Sequence, residues 1–79
     1  MAVLATVKGI QTILQEDNEA ERLKRGYCIV RPPGHHSKCG DSAGFCIFNN
    51  VAIAAKYAMN ERKRICIFDW DIHHGDGTQ

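Results

Sequence analysis

Seventy-nine residues carry ten basic and nine acidic side chains, a formal net charge of +1 that supplies neither a nucleic-acid footprint nor an acidic tail. That length holds one small domain or part of a larger one, and a chain so short buries only ~60% of its unfolded surface. No apolar run approaches the ~18 residues of a membrane span, and Met1 to Ile10 has only Lys8 as a charge, with no basic stretch ahead of an apolar core. The chain therefore reads as soluble, with no membrane partner and no direct nucleic-acid partner.

Ala2 to Gln15 has apolar residues at Val3, Leu4, Val7, Ile10, Ile13 and Leu14, offsets that describe one face of an amphipathic helix. Gly9 inside it costs about 1 kcal/mol against alanine. A polar run from Gln15 to Arg25 follows, with room for a further helical turn over Glu19 to Lys24, and Gly26 breaks the pattern. Tyr27-Cys28-Ile29-Val30 reads as a short buried strand, stopped by Arg31-Pro32-Pro33-Gly34 because proline cannot donate to a ladder. His35 and His36 come next, then a small, polar loop from Ser37 to Gly44.

Asn49 or Asn50 is a good N-cap for a helix running to about Met59, with Val51, Ala52, Ala54, Ala55, Ala58 and Met59 as its apolar stripe. Asn60 to Arg64 leads to Ile65-Cys66-Ile67-Phe68, an apolar run that reads as a strand buried on both faces. Strand, helix and strand in that order form a βαβ unit, right-handed in ~98% of cases. Both strands then point the same way, so His35-His36 and the polar cluster after Phe68 meet at one sheet edge.

The four cysteines form no C-x-x-C pair and no zinc-knuckle spacing. Cys28 and Cys66 lie inside apolar runs and Cys46 between Phe45 and Ile47, which predicts buried, reduced thiols rather than a disulfide framework. Reduced thiols favour an intracellular setting.

The densest chemistry is Asp69-Trp70-Asp71-Ile72-His73-His74-Gly75-Asp76-Gly77-Thr78-Gln79. Side chains alternate along an extended segment, so Asp71 and His73 can approach one ion together, a donor pair suited to zinc or iron(II). The plainer reading is that the acids cap loop N–H groups and the histidines are solvated. An EF-hand loop would need glycine at its sixth position, which is His74 when counted from Asp69. The H-E-x-x-H helix of zinc proteases and any Gly-rich phosphate loop are absent from the sequence. His35 and His36 read either as surface decoration or as general acid/base groups, each needing a carboxylate to fix its tautomer. Taken together, the two clusters suggest metal-assisted hydrolysis.

Three stretches carry a family resemblance: Arg31-Pro32-Pro33-Gly34-His35-His36, Gly44-Phe45-Cys46-Ile47-Phe48-Asn49-Asn50-Val51-Ala52, and Asp69 to Gln79. In order and spacing they resemble the zinc-dependent histone deacetylases, with wording closest to the class II branch. The resemblance implies an α/β chain, part of the arginase/deacetylase-like three-layer fold with a parallel sheet flanked by helices. It implies that residues 1–79 are a partial catalytic domain, truncated at its C-terminal side.

By motif position, Asp71 and His73 resemble two of three protein zinc ligands. His36 resembles the general base and His35 its electrostatic partner, with Asp69 orienting His35 and Asp76 orienting His36. Asp69, with backbone carbonyls of Asp71 and His73, would also border a K+ site, and Gly44 and Phe45 would line the acyl-lysine tunnel. Asp76 departs from the class II pattern, which has an amide there; an acid is the class I habit. The family's third zinc ligand, an aspartate, and its transition-state tyrosine fall beyond Gln79.

The implied reaction is hydrolysis of acetyl-lysine amides in histones or other proteins, with corepressor complexes as family partners and a nuclear or cytoplasmic location. Two other readings stand beside it. One is a catalytically inactive product that only binds a partner; the other is an acetylpolyamine amidohydrolase of the same superfamily.

Overall fold

The computed structural model of the chain describes residues 1–14, 25–61 and 64–79. The helical turn expected over Glu19 to Lys24 lies outside these residues. The first helix, α1, spans Ala2–Leu14, as the apolar periodicity predicts. Thr6 and Thr12 turn their hydroxyls back onto it, Thr6 donating to the carbonyls of Ala2 (3.2 Å) and Val3 (2.9 Å) and Thr12 to that of Lys8 (2.8 Å). Gly9 has a packing reason that offsets its helix penalty. A Cβ there would meet Cys28 Sγ at 3.0 Å, so the missing side chain lets the segment after residue 25 lie against the helix.

The second helix, α2, spans Asn50–Met59 and packs against α1. Asn49 caps it: its side-chain oxygen accepts the Ala52 N–H at 3.1 Å, satisfying one of the orphan donors of the first turn. Of the predicted stripe, Ala54 and Ala58 are buried while Val51 and Met59 stay 40% and 52% exposed. Asn50, on the same face, is also buried, its amide donating to the Pro32 carbonyl at 3.1 Å. Small side chains on that face allow close helix contact. The helix ends where the Asn60 N–H turns to Tyr57 O (3.2 Å) and the Glu61 N–H to Ala58 O (3.0 Å).

The two strand-like runs differ from expectation. Among the described residues there is no strand ladder, and Tyr27–Val30 and Ile65–Phe68 do not pair. The bridges that do form, Lys38 with Asp41 and Ala43 with Cys46, are tight antiparallel turns in the loop before α2. Nor are the runs buried on both faces. Tyr27 and Ile29 are each 89% exposed, and Phe68 is 84% exposed.

The cysteine expectation is corrected in the same way. All four thiols are free, but Cys46 alone is buried, whereas Cys28 and Cys66 are exposed with the runs that carry them. The cause is the nature of a strand, which has no internal hydrogen bonds and is stable only against neighbours. The whole chain exposes 6657 Å², against ~4,800 Å² for a closed fold of its mass. Trp70 and Ile72 are exposed as well, at 89% and 94%.

Asn49 holds two parts of the structure at once, because its amide also donates to Thr78 Oγ1 at 3.0 Å. Asn49→Ala is expected to destabilise the chain by about 1–2 kcal/mol in urea unfolding, through the lost cap and tether. Asn49→Ser keeps a cap acceptor and is too short for the tether to Thr78, so it should fall between wild type and Asn49→Ala.

Candidate functional site

The site begins with a turn. Gly34 O accepts the Ser37 N–H at 3.1 Å, which folds His35 and His36 over the start of α2. Ser37 is buried beneath them, its hydroxyl donating to Ile47 O at 2.8 Å. A Cβ on Gly34 would come within 2.7 Å of both Asn50 N and Phe48 O, so only glycine lets the turn lie this close to the helix start.

The second half is a staircase of side-chain-capped turns. Asp69 Oδ1 accepts the Asp71 N–H at 3.1 Å, and Asp71 Oδ2 accepts the His73 N–H at 2.8 Å. An aspartate bonding the backbone two residues on is an Asx turn. The capping role considered for these acids is therefore present, together with others. A final turn follows, with Thr78 N–H and Gln79 N–H both donating to Gly75 O.

The two halves dock through backbone: Gly77 N–H and Thr78 N–H donate to His35 O at 2.9 and 3.3 Å. Docking brings each histidine to its own carboxylate. His35 Nδ1 lies 2.8 Å from Asp69 Oδ2, and His36 Nδ1 lies 2.6 Å from Asp76 Oδ1. The two rings sit 4.2 Å apart at their centroids, tilted by 45°. His36 also meets His73 edge-on, at 6.3 Å.

Electrostatics follow the hydrogen bonds. Asp76 lies well below the usual carboxylate range, held there first by the Lys38 ammonium, 2.8 Å from its Oδ2, and then by the His36 ring. Asp69 is lowered by the Asp71 N–H and then by His35; Asp71 is lowered by the N–H and then the ring of His73. Lys38 is raised in turn by its bond to Asp76.

Asp71 Oδ2 and His73 Nδ1 are 2.9 Å apart. Two donors on a tetrahedral zinc ion at ordinary bond lengths stand about 3.4 Å apart. The pair fits two zinc positions in donor chemistry and nearly in spacing, though here the two groups bond each other. Among the described residues, no three His, Cys, Asp or Glu side chains gather as a metal site. An open cavity of about 660 Å³ lies in front of Asp69, Asp71 and His73, with Met59, Ile65 and Ile72 on its apolar wall.

Gly44 and Phe45 lie elsewhere. Both have positive φ, 53° and 65°, at the tip of a tight turn. A Cβ on Gly44 would collide with the His36 ring, so this glycine is a floor for that imidazole. Phe45 is 92% exposed, and neither residue lines the cavity. Reading the sequence missed Lys38, Ser37 and the tether from Asn49 to Thr78. Only the capping preference of Asn49 marked any of these in advance.

Two histidine–carboxylate dyads beside the Asp71–His73 pair supply groups that can hold and move protons. The model of the histone deacetylase domain matches residues 1–79, and the chain belongs to the histone deacetylase family. With membership comes the arginase/deacetylase fold class. The chain is 50% identical to histone deacetylase 6 of Caenorhabditis elegans over 80 residues, 99% of this chain and 8% of that protein. It is 58% identical to histone deacetylase 5 of Arabidopsis thaliana over 62 residues, 72% of this chain and 9% of that protein. It is 44% identical to polyamine deacetylase HDAC10 of Danio rerio over 81 residues, 100% of this chain and 11% of that protein. The chain thus spans about a tenth of the length of these relatives. No solved structure matches it.

Because Asp69, Asp71 and Asp76 have lowered folded values, their contacts stabilise fully above the unfolded carboxylate pKa of ~3.9 and are lost as pH falls through the lowered values. Carboxyl 13C shifts followed from pH 6 downward should place all three midpoints below ~3.9. A midpoint at or above that value would remove its residue from the network.

Proposed function

We propose that this chain is the acid–base segment of a zinc-dependent deacetylase that hydrolyses the acetyl-lysine amide of histones or other proteins. One observation carries the reading: two histidine–aspartate pairs converge, with rings 4.2 Å apart, beside the Asp71–His73 donor pair. Family membership over the whole chain supports it.

Asp71 and His73 are the residues that would hold zinc, with further donors from the rest of the catalytic domain. Zinc, when bound, supplies a Lewis acid for the amide carbonyl and makes water a nucleophile near neutral pH. His36 has Nδ1 committed to Asp76, so Nε2 is the nitrogen that takes the proton of the attacking water. His35, fixed by Asp69, flanks it as the electrostatic partner. The acyl C–N bond breaks, acetate leaves, and the amine departs with a proton.

The apolar wall of the cavity suits the aliphatic stem of an acylated lysine. Family resemblance assigns Gly44 and Phe45 to the acyl-lysine channel, although in this chain they lie outside the cavity, with Gly44 against the His36 ring. A K+ site bordered by Asp69 and the carbonyls of Asp71 and His73 belongs to the same proposal. So does a parallel sheet of three-layer type, with Tyr27–Val30 and Ile65–Phe68 as two of its strands. Corepressor partners and a nuclear or cytoplasmic location follow the family.

A second substrate reading has its own support. HDAC10 of Danio rerio, a polyamine deacetylase by name, aligns with the entire chain. An acetylated polyamine presents the same amide on an aliphatic stem. Turnover of an acetyl-lysine peptide and of an acetylated polyamine, measured side by side, decides between them.

The 79-residue chain alone, with added zinc, is expected to turn over neither substrate, as an inactive product would. In the catalytic domain that includes it, His36→Ala should lower kcat by ~10²–10⁴, the usual worth of a general base, and His35→Ala by less. Full activity in the His36→Ala enzyme would overturn the assignment.

A further inference from the structure

Lys38 enters the site from a rigid platform. Its backbone closes a tight turn with Asp41, Lys38 N–H donating to Asp41 O at 3.0 Å and Asp41 N–H to Lys38 O at 3.2 Å. Gly40 in that turn has φ +76°, and the buried Ser37 anchors its start. From this fixed point the ammonium reaches Asp76 Oδ2 at 2.8 Å, while the other oxygen of the same carboxylate holds His36 Nδ1 at 2.6 Å.

We propose that Lys38 is a positioning residue for His36, acting through Asp76. An aspartate carboxylate turns easily about its last side-chain bond, a broad, roughly two-fold torsion. Held by one oxygen alone, Asp76 would let the imidazole tip with it. The ammonium on the second oxygen fixes the carboxylate plane, and the fixed plane keeps the His36 proton on Nδ1 and the lone pair on Nε2.

Among the described residues, no cation stands behind the neighbouring dyad. Asp69 is braced by the neutral Asp71 N–H instead. A cation behind one dyad and an amide behind the other makes two adjacent histidines unequal, and His36 is the one whose carboxylate is locked by charge.

The Lys38 side chain is 55% exposed, and exposed ion pairs add little to fold stability. Its replacement therefore tests orientation rather than folding. This inference rests on the reading of His36 as the base, but its first test does not need turnover.

Imidazole 15N NMR of the chain should show neutral His36 as a single Nδ1–H tautomer. Lys38→Met should give a mixture of tautomers with an unchanged circular dichroism spectrum, and Lys38→Arg should restore the single form. Lys8→Met, which removes a charge from α1, should leave His36 unaltered. A mixture already present in the wild-type chain overturns the proposal, and so does a single tautomer surviving in Lys38→Met.

In the active domain, Lys38→Met should lower kcat ~10-fold, a part of the general-base effect, with KM within about twofold, and Lys38→Arg should recover most of it. Unchanged kcat counts against Lys38. Absence of turnover in the wild-type domain counts against the deacetylase reading and leaves the tautomer result to decide the role of Lys38.

Discussion

One carbonyl joins the two halves of the site. His35 O accepts N–H groups from Gly77 and Thr78, and through them the terminal turn is fixed to the tandem-histidine loop. The fit tolerates no side chain at Gly75 or Gly77. A Cβ on Gly77 would run into Ser37 O, and one on Gly75 would stand 2.7 Å from Asp69 Oδ2 and 3.1 Å from His35 Nδ1. Thr78 passes the connection on to Asn49, whose other side-chain atom caps α2. Helix start, histidine loop and acidic turn therefore form one hydrogen-bonded unit. The dyads exist because this unit closes.

Much of this could be read from the residues, and the boundary is instructive. Both helices were legible because their signals are local: an apolar period for α1, and a capping asparagine ahead of an alanine-rich stripe for α2. The density of ligand-type side chains after Phe68 was equally plain. Which carboxylate serves which histidine came from family wording rather than from spacing, since partners 34 and 40 residues apart leave no local trace. Lys38 shows this most sharply. It sits in a small, polar loop, and nothing around it announces a salt bridge to residue 76.

The strand-like runs fail for the complementary reason. Alternation and β-branched residues report a demand for burial, and they carry no information on whether neighbours are present to meet it. Tyr27, Ile29, Phe68 and Trp70 remain exposed, and Cys28 and Cys66 with them. The histidine and aspartate side chains nevertheless find one another, so the site's hydrogen bonding does not wait on the sheet. It rests on the turns and on α2.

Two kinds of assembly meet in these few residues. The Asp71–His73 pair is built within three positions, by an Asx turn that holds the carboxylate against the backbone and ring of the same histidine. Local closure of that kind costs little chain entropy. The dyads instead close loops of 34 and 40 residues, a larger entropic cost that α1–α2 packing, the Asn49 cap and the His35 carbonyl contacts must offset together. The donor pair is therefore the more autonomous feature and the dyads the more cooperative one. A substitution that loosens the docking should release the histidines from their carboxylates while leaving Asp71 and His73 together.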